Sequence, residues 1–560
     1  MRNVGLACVF FLLELVALSA QEPEDFDPYE AERLADFLER PLQINTAGQV
    51  ALEESGLMTE FQIASLMDYL SRHGDIMSLL ELSAVDGFSP SYVKEIAPFI
   101  SLKGGDISRE TGHHKADNDI VVRSGWKNSS GSQGYSYGAK YRITSGKWSA
   151  AASMSKSAGT ERILPESFSG YLMWTPSSIQ LKLVAGNFNL RFGQGLALWN
   201  GMNMSGIYSP SAVMRNASSL SPSWSFSSGS SMLGVAGQIA LGQFSMTAAL
   251  ASIHQNLLPA INLSYKFSNV HVSMTHYAQF EKGRIPDMKT AADMAMCIRG
   301  TDLFSEVSYD WVNNSVAALA GTIFPVSENI RAAVHLRYYP AAYDAGMSGA
   351  LRSGSKCSNE SSISLAGEYL SSDRRQNLTF SSDIAYNPVS KSDDGVSVQM
   401  KLLAVYDHCF NDLITLQVRV SERIRTWGSR YRTDIRSELD FTSGYLGISG
   451  RLNVLHCVGM SILGYLEGFY KKDSSAAYLR MGAFKADDWE DRIYVYERDA
   501  PGSFNVPAFY GRGIWLSMTG SYRFSRSLKM YLRGSWTSYP FMKEKKPGKA
   551  ELKLQLSISF

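Results

Sequence analysis

KAELKLQLSISF, residues 549–560, alternates without a fault. Leu552, Leu554, Leu556, Ile558 and Phe560 fall on one face, and Glu551, Lys553, Gln555, Ser557 and Ser559 on the other. A period of two is the mark of a strand with one apolar and one polar face. A soluble sandwich also contains such strands, so the alternation alone does not decide the fold. Position adds to it, because the chain stops on the apolar face at an aromatic residue.

Working outward, the same period recurs from Ile120 onward. Val396, Val398, Met400 and Leu402 alternate with Ser397, Gln399 and Lys401. Ile414, Leu416, Val418 and Val420 alternate with Thr415, Gln417, Arg419 and Ser421, and Leu528, Met530 and Leu532 with Lys529, Tyr531 and Arg533. Runs of about ten residues cross a bilayer at a tilt. Turn residues separate them, such as Ser268-Asn269, Asp393-Asp394-Gly395 and Pro547-Gly548. The count is about 22–26 strands. One strand face suits a wet lumen and the other lipid, with Tyr338-Tyr339, Phe469-Tyr470, Trp536 and Tyr539 expected in interfacial girdles. A soluble propeller would repeat about every 40–50 residues, and no such repeat is present. The fold class expected is therefore mainly β: a large antiparallel transmembrane β-barrel over 118–560. This pattern resembles the bacterial outer-membrane barrels, whose final strand ends in an aromatic residue read by the barrel-assembly machinery. Phe560, Ile558 and Leu556 would carry that signal, and outer-membrane lipid would surround the wall.

Composition agrees. Charged residues are 19% of the chain, below the usual quarter or so. The net charge of +1 conceals an asymmetry, a balance of −12 over 22–100 and +13 over 101–560. Residues 1–20 read as a signal peptide, with Arg2, an apolar run from Val4 to Leu18 and Ala20 before the cut. Residues 103–117 read as a linker, and His113-His114 beside Asp117 and Asp119 as a solvated run rather than a metal site. Cys297, Cys357, Cys409 and Cys457 remain after the signal, in no CxxC spacing; whether they pair stays open.

Between the signal and the linker the period is helical. Thr46 with Gln49, Thr59 with Gln62, and Ser78 with Glu81 are capping boxes, and Ser89-Pro90 is a fourth helix start. Ile63, Leu66, Met67 and Leu70 form a stripe. A small all-α domain of two hairpins is expected over 21–102. With Ile44-Asn45-Thr46-Ala47, Tyr69, Gly74, Leu82, Val85, Gly87, Ile96, Pro98 and Ile100, it resembles the tandem helix-hairpin-helix module of ComEA-type competence DNA receptors. The resemblance implies phosphate contact by the hairpins, at Gly56, Leu57, Met58 and Thr59, and at Gly87, Phe88 and Ser89, with Lys94 nearby. The first hairpin has neither glycine of that family's turn and the second only Gly87. With four basic residues against sixteen acidic ones, DNA contact is expected to be weak or lost.

Two further segments, Phe192-Gly193-Gln194-Gly195-Leu196 with Trp199, and Arg492 to Gly511, resemble Bacteroidetes outer-membrane proteins that join such a module to a large barrel. Read from the residues alone, Gly193 and Gly195 permit a bend or bulge in a strand. The Ser-rich stretch Gly201–Ser230 would fold into the lumen or lie outside. No GxSxG, HExxH or P-loop is present, and His271, His276, His335, His408 and His456 stand in no nucleophile setting. No enzymatic activity, cofactor or metal is expected. Two functions follow: binding or translocation of a polymer, DNA by family analogy, or a structural barrel whose acidic periplasmic module docks another envelope protein.

Overall fold

The computed structural model describes Phe37, residues 41–102 with breaks at 48–51, 53–54, 56, 59, 84, 86–87, 89–91 and 94–95, and residues 116–560 with breaks at 130–131, 161, 177–179, 201–205, 227–230, 268, 392–394, 412, 473, 504, 526 and 544–545. The expected signal peptide and most of the linker lie outside these residues.

Alternating strands with one polar face cannot leave an unpaired edge in hydrocarbon, and this chain leaves none. Twenty-four antiparallel strands of 8 to 14 residues form a closed wall from Asp117–Ser129 to Lys549–Ser559. The last strand pairs with the first, Ser559 opposite Asp119 and Lys549 opposite Ser129. The backbones of Phe560 and Asn118 exchange hydrogen bonds at 3.0 and 2.9 Å. Both ends of the wall share one rim. Connections on that rim have two to five residues, whereas those on the far rim reach forty. Among the described residues no helix is long and apolar enough to cross a membrane.

The faces follow the alternation. In the closing strand Leu552, Leu554 and Phe560 are exposed on the outside while Gln555 is buried within. Likewise Val396 and Val420 face out, whereas Ser397, Gln399, Gln417 and Ser421 are buried inside. Outward ionised groups such as Lys485 and Arg512 stand next to strand ends. An apolar belt around a closed barrel belongs in hydrocarbon. Three of the expected girdle residues are corrected. Tyr339 and Tyr539 are buried inside the barrel and Phe469 shares the inward face with Tyr465 and Glu467, because each lies on the inward parity of its strand or loop, while Tyr338, Tyr470 and Trp536 do face out.

The N-terminal module has its own core of Ile44, Leu52, Leu57, Met58, Ile63, Leu66, Ile76, Leu82, Val85, Phe88, Val93, Ile96 and Phe99, among others. Its described helices are Glu60–His73 and Leu79–Leu82, with a 3-10 turn at Ala97–Phe99. Ser78 caps the second helix, accepting from the Glu81 N–H at 3.1 Å, while Glu81 reaches back to the Met77 N–H at 2.8 Å. Thr46, by contrast, lies in a turn with its hydroxyl toward the Gln43 carbonyl. Met67 is exposed, so the core-facing stripe is Ile63, Leu66 and Leu70. The expectation of an all-α domain is corrected: a parallel bridge of Leu42–Gln43 with Ile100–Ser101 joins its ends. Asn45 fixes that junction, donating to the carbonyls of Ile76 at 3.0 Å and Leu102 at 2.8 Å and accepting from the Ile76 N–H. The helix Glu60–His73 lies beside strands Val270–Gln279 and Asp287–Ile298, far round the wall from the first strand.

Candidate functional site

A wall of this size encloses a wide lumen unless something fills it. Three far-rim connections turn inward and do so: 192–231, 340–359 and 487–510.

The first is prepared at Gly186, where its strand stops pairing with Ser167–Trp174. Its φ is +112°, and a Cβ there would come within 2.3 Å of the Gly170 carbonyl oxygen, so only glycine fits the bend. Beyond it Asn187 to Arg191 are buried on both faces. The chain then turns through Phe192-Gly193-Gln194-Gly195-Leu196. Gly193 and Gly195 have φ of +56° and +85°. This turn presents the N–H groups of Gln194, Leu196 and Ala197 to the Glu306 carboxylate of strand Thr301–Asp310, at 2.8, 3.0 and 3.2 Å. A Cβ on Gly193 would stand 3.0 Å from both Asp293 and Glu306. The glycines therefore build an anion-holding concavity, not the strand bulge expected from sequence. Further on, Ile207 accepts a hydrogen bond from Ser381. The segment returns as Ser219–Pro222, paired with Phe188–Arg191. Ser225 accepts from Ser153 at 2.8 Å and Ser169 at 2.7 Å, and the Phe226 ring lies 3.6 Å from the Arg123 guanidinium. The described residues of the Ser-rich stretch, 206–226, thus lie inside the lumen.

The second segment is sewn to the first. Tyr343 donates to the Leu196 carbonyl at 3.0 Å, Trp199 to Met347 at 2.9 Å, and Gly349 to Gly195 at 2.7 Å. Its outer end sits on a buried ion group. Arg337 meets Glu360 at 2.9 Å and Asp383 at 2.6 Å, and Ser353 bonds to both carboxylates. Cys357 is buried here, and burial pushes its thiol pKa up. All four described cysteines are free thiols.

The third segment carries a small bridge, Ile493–Tyr494 with Ala508–Phe509, over a core of Leu455, Leu463, Phe484, Val495 and Trp515. Charges hold it to the wall. Arg498 and Arg480 share Glu467 at 3.0 and 2.8 Å. Arg533 pairs with Glu497 and, at 2.6 Å, with Glu551, while Lys553 meets Asp499 at 2.7 Å. Glu551, Lys553 and Gln555 are the polar face of the closing strand, so the alternation read in the sequence becomes a grip on this segment.

The sequence-derived candidates fall elsewhere. Leu57, Met58 and Phe88 are buried in the module core. The Leu57 N–H donates to Ser55 Oγ at 3.2 Å, its carbonyl accepts from Tyr92, and the Phe88 N–H donates to Val85 at 3.0 Å. Gly56, Thr59, Gly87, Ser89 and Lys94 lie outside the described residues. Phe560, Ile558 and Leu556 share the outward face at the seam. Of the five strand histidines, His271 and His335 face inward, and His276, His408 and His456 share the outward parity. Sequence reasoning missed Glu306 and Arg337. Their partners lie more than a hundred residues away or on neighbouring strands, and no local spacing marks them.

No family model matches the chain, and no curated protein matches it. Solved structures do. The P pilus usher PapC translocation pore matches at 9% identity over 79% of this chain and 99% of that chain, with a TM-score of 0.37. The copper transporter OprC matches at 8% over 80% and 81%, TM-score 0.42. The siderophore receptor PirA from Pseudomonas aeruginosa matches at 9% over 80% and 81%, TM-score 0.39. At such scores the likeness carries no argument about activity; the chain is similar to these proteins as one large barrel is to another.

Proposed function

We propose that the chain is an outer-membrane barrel with a narrow, internally closed lumen that admits small solutes, and that its N-terminal module stands at the periplasmic rim as a docking platform for another envelope protein. One observation carries the reading: the first two inward segments are hydrogen-bonded to each other and to the wall carboxylates Glu306, Glu360 and Asp383, and the third is held to the wall by ion pairs to Glu467, Arg533 and Lys553. A polymer such as DNA would have to break these bonds to pass. The short turns beside the chain ends support the periplasmic placement of the module, since barrels of this class keep short turns on that side. Docking is favoured over DNA for the module. The N–H groups of Leu57 and Phe88 are internally bonded, and the module's balance of −12 repels phosphate.

The test is conductance of the full chain in planar bilayers, paired with duplex DNA titration at low salt. Small, flickering currents and no DNA binding are expected. A steady current of general-porin size, or DNA binding that falls steeply with added salt, would overturn the reading.

A further inference from the structure

On the side of the short connections, the first inward segment covers a chamber of about 750 Å³, counted with the solvent at its mouth. That is the size of a small-molecule site. Its roof is the turn 192–194 and the return 214–217. Its wall comes from strands Asn256–Lys266, Val270–Gln279, Asp287–Ile298 and Thr301–Asp310. Lys266, Phe267 and Asn269, at a strand end and its turn, mark the mouth. The helix Glu60–His73 lies beside two of these strands, so the N-terminal module stands on this side of the wall.

The charged residues that line the chamber balance, Lys266 and Arg215 against Asp293 and Asp302. His271 is the cross-strand partner of Lys266, and its Nδ1 lies 3.9 Å from Asp293. Asp293 accepts from Ser273 Oγ and stands opposite Glu306, whose carboxylate already takes three N–H groups. Like charges directly opposite one another destabilise a sheet, so an added cation at Asp293 is favourable. A carboxylate has about four lone-pair sites, enough to take an ammonium beside the serine. Arg337, Arg480, Arg533 and Lys289 each pair with a carboxylate, whereas among the described residues none pairs with Lys266. Phe192, Met214 and Ala295 add apolar surface. An ion of one sign would set two of the four charges against it. A molecule carrying both signs meets both poles, and its apolar body meets the rest.

We propose that this chamber binds a small zwitterion with an apolar side chain, an amino acid or a dipeptide, its carboxylate at Lys266 and its ammonium at Asp293. The proposal rests on reading the lumen as a solute path, and it names the class of solute. Lys266 and Asp293 stand two strands apart, about 10 Å at the usual strand spacing, and both line the space between. An ammonium and a carboxylate on one apolar body bridge that space, whether one residue carries them or two.

The experiment uses the purified full chain in detergent, with leucine and leucylleucine as probes. Isocaproate and isoamylamine, which keep the apolar body and one charge each, are the controls. Calorimetric titration should show saturable binding of leucine, leucylleucine or both, at least tenfold tighter than either control. Lys266→Gln should weaken probe binding at least tenfold, the worth of one charge-assisted contact, and leave isoamylamine unaffected. Asp293→Asn should weaken the probes likewise and spare isocaproate. Arg374→Gln, on an exposed turn elsewhere on the same rim, should change nothing. Preference for leucine over leucylleucine, or the reverse, assigns the amino acid or the peptide. Heat-shifted migration on gels checks that each variant is folded; Lys266→Gln alone serves if Asp293→Asn is not. Probe binding no tighter than the controls, or affinity unchanged in folded Lys266→Gln, overturns the site. Bilayer recordings separate this from the wider reading. Binding without conduction keeps the site and removes the solute path, and conduction without binding does the opposite.

Discussion

At the scale of single residues, the buried charges are the most exacting parts of the molecule. Arg337 is fully buried between Glu360 and Asp383. Arg337→Ala would strand two carboxylates in a dry site. The expected loss is about 3–5 kcal/mol, read by denaturant unfolding in lipid vesicles; a loss under about 1 kcal/mol would show that the carboxylates find water. Gly193→Ala tests a different constraint. A methyl group there meets two carboxylates and a backbone at positive φ. It should free the first inward segment from Glu306 and raise single-channel conductance in bilayers, and an unchanged current would remove that turn as an anchor. The cysteines give a chemical check. Cys357 is buried with its thiol pKa raised, so less thiolate exists at any given pH and alkylation slows. Maleimide at pH 7.5 should modify the half-buried Cys409 and Cys457 in the folded protein and spare Cys357 until denaturant is added.

At the scale of elements, the wall was legible in the sequence and its filling was not. Period-two runs such as 414–421 announced both their strand and its faces, because a one-residue step reverses the side chain. The central outward residue of the closing strand makes this testable. Leu554→Arg should cost about 2–4 kcal/mol in lipid vesicles, whereas the same change in a soluble strand's exposed face would cost little. The inward segments are another matter. Gly201–Ser230 has the composition of a surface loop, and its Ser225 carbonyl accepts from two wall serines that are equally nondescript in sequence. The glycines at 193 and 195 were visible, but the carboxylate they serve is 110 residues downstream. Parity misled at Tyr339 and Phe469, where adjacent aromatics were assigned to the rim as units although neighbouring side chains point apart. In the module, capping at Ser78 was readable from spacing, while the triple bond set of Asn45 joins residues up to 57 positions apart.

At the scale of the whole molecule, the closing strand does two jobs at once. Its apolar parity meets lipid, and its polar parity, through Lys553 and Gln555, holds 487–510. Sealing the cylinder and securing its contents are therefore a single event. A nascent barrel whose third segment is still outside would arrive at its seam with Arg533 lacking Glu497 and Lys553 lacking Asp499. Such a species should linger as an open intermediate instead of maturing empty.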